Sequence, residues 1–198
     1  MKIIEEKLLD VILSALSQEH DALLGLRDEH KHHSILFGVF DLPEPVLVYV
    51  IYKELLRSDS FKGYSLTWED TYSRSAHSKE SLQYVDLSIE NMSGRKTDYV
   101  EFGKFSAKKV TEDCRKLLDH KPDYGDKYLV LFHSRKEQEK TLDTRIEEAI
   151  LKSNGGIRKC KIVHSCKSFT WNECPEYRNR KKTGDYPRVF EIALLKIE

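Results

Sequence analysis

The 198-residue sequence predicts a single α/β domain, residues 1–198, in which a mixed sheet is flanked by helices on both faces. Three stretches carry that reading. From Tyr84 to Phe105, two runs alternate apolar and polar residues around Asn91, Ser93 and Gly94, the pattern of two half-buried strands joined by a turn. From Glu44 to Leu56 the chain is apolar on nearly every side of a helix, so that helix belongs inside a layered fold. Tyr128–Phe132 (YLVLF) is continuously apolar, as a strand covered on both faces must be.

Taken in order, Lys2–Ser17 has apolar residues at Ile4, Leu8, Val11, Ile12 and Ala15, one stripe of an amphipathic helix. It forms part of an N-terminal helical extension over residues 1–33. His20–His33 is charged and ends in His-Lys-His-His, which reads as a solvated loop because sequence neighbours rarely converge as metal ligands. Asp41-Leu-Pro-Glu44-Pro45 is a helix entry with Glu44 as the cap, since proline suits the first turn and the residue before it avoids the α region. Gly63–Tyr72 reads as a strand on which Glu69 is a surface position, and Thr71–Ser81 as a loop.

Within the hairpin, a period of two puts Asp86, Ser88 and Glu90 on one face and Glu101 and Gly103 on one face of the second strand. Asp86 and Glu101 then meet across it. Two such carboxylates suit Mg²⁺ or Mn²⁺, and with it phosphoryl chemistry.

Ser106 caps a further helix with the stripe Val110, Cys114, Leu117 and Leu118. Its Lys108, Lys109, Arg115 and Lys116 could touch phosphates and read better as a solvated face. After Tyr128–Phe132, the residues Leu142, Ile146, Ala149 and Ile150 repeat a helical stripe, Asn154-Gly155-Gly156 ends it, and Arg158–His164 supplies another strand. A helical crossover between these two strands implies that they pair in parallel. Lys167–Pro187 is polar; Arg178, Arg180, Lys181 and Lys182, near Trp171 and Tyr177, suit a nucleic-acid-contacting loop and equally an ordinary exposed one. Arg188–Ile197 is the last strand.

Lys plus Arg balance Asp plus Glu at 33 each, so no global basic field announces nucleic acid and any DNA contact must come from a local cleft. No apolar run has the length of a membrane span, and Glu5, Glu6 and Asp10 stand where a signal peptide would be apolar, which predicts a cytoplasmic protein with no membrane partner. The four cysteines form no C-x-x-C pair and read as ordinary thiols.

Asp86, an apolar strand, and Glu101 just ahead of Lys104 resemble the core of the PD-(D/E)XK nuclease superfamily, over residues 41–133. The helix opening at Glu44 and the helix and buried strand after Glu101 extend the likeness. It implies a restriction-endonuclease-like sheet, a metal held by Asp86 and Glu101, a site that includes Glu44 and a lysine, and DNA as substrate. The family pattern is Glu-x-Lys, whereas this chain reads Glu101-Phe102-Gly103-Lys104. A regular strand would turn Lys104 to the far face, so a β-bulge at Gly103 is expected to turn Lys104 back to the acidic pair, where it replaces the family's usual catalytic lysine. Two functions follow: an Mg²⁺-dependent endonuclease, or a catalytically inactive nuclease-fold module that binds nucleic acid or a protein partner.

Overall fold

The computed structural model describes residues 3–30, 38–71, 84–93, 96–119, 125–152, 160–161, 167–172 and 187–197. Seven strands form one mixed sheet: β1 (Tyr64–Thr71), β2 (Tyr84–Asn91), β3 (Lys96–Lys104), β4 (Lys127–Lys136), β5 (Cys160–Lys161), β6 (Lys167–Asn172) and β7 (Pro187–Ile197). The spatial order is β1-β2-β3-β4-β7-β5, with β6 also on β7. Four helices cover it: α1 (Ile3–His30), α2 (Glu44–Arg57), α3 (Ala107–Asp119) and α4 (Leu142–Lys152). The α/β architecture read from the sequence is the one observed.

Period two on β4 explains the layering. Tyr128, Val130 and Phe132 enter a core with Leu8, Ile12 and Leu16 of α1 and Leu47, Ile51 and Leu55 of α2. Leu129 and Leu131 point the other way, into a core with Val110, Cys114 and Leu117 of α3 and Leu142 and Ile146 of α4. Burying each such Leu, Ile or Phe stabilises the fold by roughly 1.5–3 kcal/mol, so a strand apolar on both faces is the natural centre of the sheet.

The hairpin forms as expected, β2 and β3 running antiparallel from Asn91↔Lys96 to Leu87↔Val100. The crossover through α3 makes β3 and β4 parallel, Tyr99↔Lys127 to Lys104↔Phe132. Ser106 caps α3 by accepting from the Lys109 amide at 3.1 Å.

Several expectations need correction. The parallel pairing expected between Tyr128–Phe132 and Arg158–His164 is absent among the described residues: β7 lies between β4 and β5 and is antiparallel to both. The 11-residue β7 is long enough to bond β6 and β5 end to end along its second edge. Part of the polar stretch after Lys167 is thus a strand, β6, because β7 offers it an open edge.

The first helix runs on to His30 instead of ending near Ser17, so the loop expected from His20 does not begin there. His20 is buried, 5.2 Å from the ring of Phe169, and its Nδ1 accepts from the Val39 amide at 3.4 Å. Gly38 (φ 58°) lets the chain pass this imidazole, where a Cβ would collide with the ring. At α2 the cap is Pro43, with Glu44 already in the first turn. No helix among the described residues is long and apolar enough to cross a membrane.

Candidate active centre where two strands part

The paired register of β2 and β3 ends at Leu87↔Val100. One further step would set Asp86 opposite Glu101. The strands separate there instead, and the Phe102 amide donates to Asp86 Oδ2 at 2.7 Å. Beyond this point β3 stays paired with β4 alone. Val100 and Phe102 belong to the α1/α2 core, so alternation turns Glu101 and Gly103 toward α3. The structure therefore brings Asp86 and Glu101 to one place, at the fork of the sheet.

Helix α3 lays a charged row along this place. Lys109, Asp113 and Lys116 follow one another at four and three residues, beside the buried stripe Val110, Cys114, Leu117. Lys116 Nζ lies 2.6 Å from Glu101 Oε1 and donates to the Tyr84 carbonyl at 2.7 Å. Lys109 Nζ lies 2.8 Å from Glu44 Oε1 and 3.4 Å from Asp113 Oδ2. Glu44 reaches the site from the opposite layer, around the end of β3, where its Oε2 accepts from the Lys104 amide at 3.1 Å.

Gly103 is where these elements come closest. A Cβ on residue 103 would overlap Lys109 Cε and stand 2.9 Å from its Nζ. The glycine serves space here, not backbone freedom. No bulge forms: Glu101↔Leu129, Gly103↔Leu131 and Lys104↔Phe132 keep an unbroken parallel register. The expectation that Lys104 turns back to the acidic pair is thus corrected. Its side chain lies on the far face, with Nζ donating to the Phe40 carbonyl at 2.5 Å and 4.6 Å above the Phe40 ring. The reason is the β4 ladder, which would lose its pairing to an inserted residue.

Four carboxylates (Glu44, Asp86, Glu101, Asp113) share the site with two amines (Lys109, Lys116). When all are ionised, negative charge exceeds positive by two. Asp86 lies above its ordinary value chiefly because it is buried; the Phe102 amide and the charges of Lys116 and Lys109 oppose the rise, and Glu44 adds a smaller push upward. Asp113 is pushed up as well, by burial, against the pull of Lys109. Lys109 is drawn down by burial, but its hydrogen bond to Glu44 and the charge of Asp113 outweigh that and leave it above its ordinary value.

A double excess of negative charge on oxygen donors is what a hard divalent cation relieves. Among the described residues, no group of three or more His, Cys, Asp or Glu could hold a metal ion. Mg²⁺ does not require such a group, since it is commonly held by one or two carboxylates with water and substrate phosphate completing its shell. Asp86 and Glu101 are the two carboxylates that could hold a cation in that way.

The sequence placed Lys108, Lys109, Arg115 and Lys116 on one solvated face, and the structure divides them. Lys108 is exposed and pairs with Glu112, and Arg115 is exposed. Lys109 and Lys116 point at the acidic site. Their seven-residue spacing, flanking the apolar stripe, was the available signal. Glu69 is exposed and sits in β1 between the pairs Trp68↔Leu87 and Asp70↔Val85, with φ 53°. Arg178, Arg180, Lys181 and Lys182 lie outside the described residues. No family model, curated protein or solved structure matches the chain.

Proposed function

We propose that this protein is a metal-dependent phosphodiesterase of the nuclease type, with Asp86 and Glu101 holding Mg²⁺ or Mn²⁺ and DNA as the substrate. The observation that carries this reading is the carboxylate pair at the fork of β2 and β3, in a site where four carboxylates face two amines. A divalent cation bound there supplies charge that polarises a phosphate and acidifies a water. The chain's own part is to fix that carboxylate pair. The Phe102 amide orients Asp86, and Lys116 orients Glu101. In the reaction a water oxygen bonds to phosphorus and the bond to the leaving nucleotide oxygen breaks. The leaving oxygen takes its electron pair and a proton from solvent, and the attacking water gives up one proton to solvent. The basic residues Arg178, Arg180, Lys181 and Lys182 contact backbone phosphates in this reading.

One observation favours the second reading, a silent nuclease-fold module that binds nucleic acid or a protein. Glu101 is only 4% exposed and already paired to Lys116, so a cation must displace or share that amine. Calorimetry with Mn²⁺, alongside cleavage of single-stranded, double-stranded and branched DNA, separates the two. The nuclease reading expects Mn²⁺ binding and cleavage that Asp86→Ala abolishes. Binding that survives Asp86→Ala, or none in the wild type, overturns it.

A further inference from the structure

We infer that Lys109 is the phosphate-facing catalytic lysine of this centre, supplied by α3 through the gap that Gly103 leaves in β3. The inference rests on the nuclease reading and names the group that would meet the scissile phosphate.

Strand position 103 shares a face with Glu101, two residues on, so that a side chain there would stand beside the acidic pair. It carries none. The volume that its Cβ would take is filled by the Lys109 stem, with Cδ 2.6 Å and Nζ 2.9 Å from that point. An amine therefore occupies the strand position from outside the strand. It is held on two sides, by Glu44 Oε1 at 2.8 Å and Asp113 Oδ2 at 3.4 Å, and is 28% exposed. It is ammonium at neutral pH, as a lysine ordinarily is, and against the downward pull of burial those carboxylates leave it above its ordinary value. Lys104 cannot serve, being committed to Phe40 on the other face. Lys116 is the other amine of the site, but both its contacts, to Glu101 and the Tyr84 carbonyl, belong to holding the carboxylate pair.

The role follows from the position. A phosphate seated against Asp86 and Glu101 receives a hydrogen bond from the Lys109 ammonium on a non-bridging oxygen. That oxygen gains negative charge as the water attacks, so the contact strengthens toward the transition state. No bond to lysine forms, and the amine keeps its protons.

Geometry and chemistry are tested separately. In protein carrying ¹³C-labelled lysine, the Lys109 ε-carbon should titrate above the ordinary lysine value, and Gly103→Ala should bring it back toward that value by evicting the side chain. An unchanged titration in Gly103→Ala overturns the threading. For the chemistry, Lys109→Ala and Lys109→Met should each lower cleavage by about 100-fold or more while Mn²⁺ affinity stays within about threefold, because neither variant removes a proposed ligand. The double variant Gly103→Lys with Lys109→Ala moves the amine onto the strand and should recover activity over Lys109→Ala alone. Wild-type cleavage that persists undiminished in both Lys109 variants overturns the lysine's role and leaves the nuclease reading standing. A wild type that neither binds Mn²⁺ nor cleaves removes both.

Discussion

The Phe102 amide donates to Asp86 Oδ2 at 2.7 Å, so a side chain takes the place of a backbone acceptor where β2 leaves β3. That bond satisfies a main-chain donor that would otherwise be stranded at the fork. It also draws a carboxylate into a partly buried site already rich in negative charge.

Asp86 should therefore cost stability when ionised. Its folded pKa lies above the unfolded value, so the folded state holds more protons and stability falls as pH rises from the ordinary carboxylate range through the raised one. Asp86→Asn keeps an oxygen to accept from Phe102 and removes the charge. It should be more stable than wild type at neutral pH, with the gap closing in acid. Chemical denaturation at several pH values reads this, and a wild type more stable than Asp86→Asn at pH 7 in the absence of metal contradicts it.

Lys116→Ala should destabilise where Asp86→Asn stabilises. Glu101 is almost wholly buried and Lys116 is partly exposed, so Lys116→Ala strands a charge inside the protein. Breaking such a pair costs about 3 kcal/mol. Protonation of the uncompensated carboxylate relieves that cost, so the variant should regain stability as pH falls. A divalent cation should restore it too, at neutral pH, if the site binds one. Melting curves with and without Mn²⁺ test both points, and an equal loss of stability at pH 4 and pH 8 would contradict the electrostatic origin.

How much of this was visible in the chain depends on the range of the interactions. The strands β2, β3, β4 and β7 and the helices α2, α3 and α4 follow from local periodicity, since each buries a face that its own residues define. Asp86 and Glu101 were legible for the same reason. Two-residue alternation and a short turn sufficed to bring them together. Position in the sheet was not legible, because the insertion of β7 between β4 and β5 depends on edges that no local pattern records. His20 looked like part of a charged loop, and its burial depends on Gly38 and Phe169, which are distant in sequence. The role of Gly103 was misread for a related reason. From sequence, glycine suggested backbone freedom, whereas it is a side chain from α3 that needs the room.

His133 should set part of the protein's acid sensitivity. Burial lowers its pKa to about 4, with the charges of Arg145 and Arg135 acting in the same direction and Glu139 against them. The folded state thus binds fewer protons than the unfolded one, so this contribution to stability is complete above the unfolded value near 6.5. It declines as pH falls from there and levels off below the folded value. Allowing for solvent screening of a partly exposed ring, the loss should be about 2 kcal/mol. His133→Gln should flatten this part of the stability profile between pH 6.5 and 4. A profile unchanged by the substitution would place the acid sensitivity elsewhere.

Lys104 offers the sharpest contrast with Lys109, because only five residues separate them and both approach Glu44. Lys104 does so through its main-chain amide, which donates to Glu44 Oε2, while its amine lies across the sheet on the Phe40 carbonyl and ring. Substitution at 104 leaves the amide in place, so the contact that positions Glu44 survives any side chain except proline. Burial lowers the Lys104 amine below its ordinary value, against the charges of Asp41 and Glu44, as suits an amine used for packing. Lys104→Met keeps the apolar stem and removes the ammonium. It should cost about 1 kcal/mol, the order of one hydrogen bond with a cation–π contact. Any DNA cleavage should remain within about threefold of wild type, whereas Lys109→Met should lose about 100-fold. Kinetics of the two variants on one substrate make the comparison direct. If Lys104→Met lost activity to the same extent as Lys109→Met while remaining folded, the assignment of the amine to α3 would fail, since the unbroken register of β3 leaves Lys104 no route to the acidic pair.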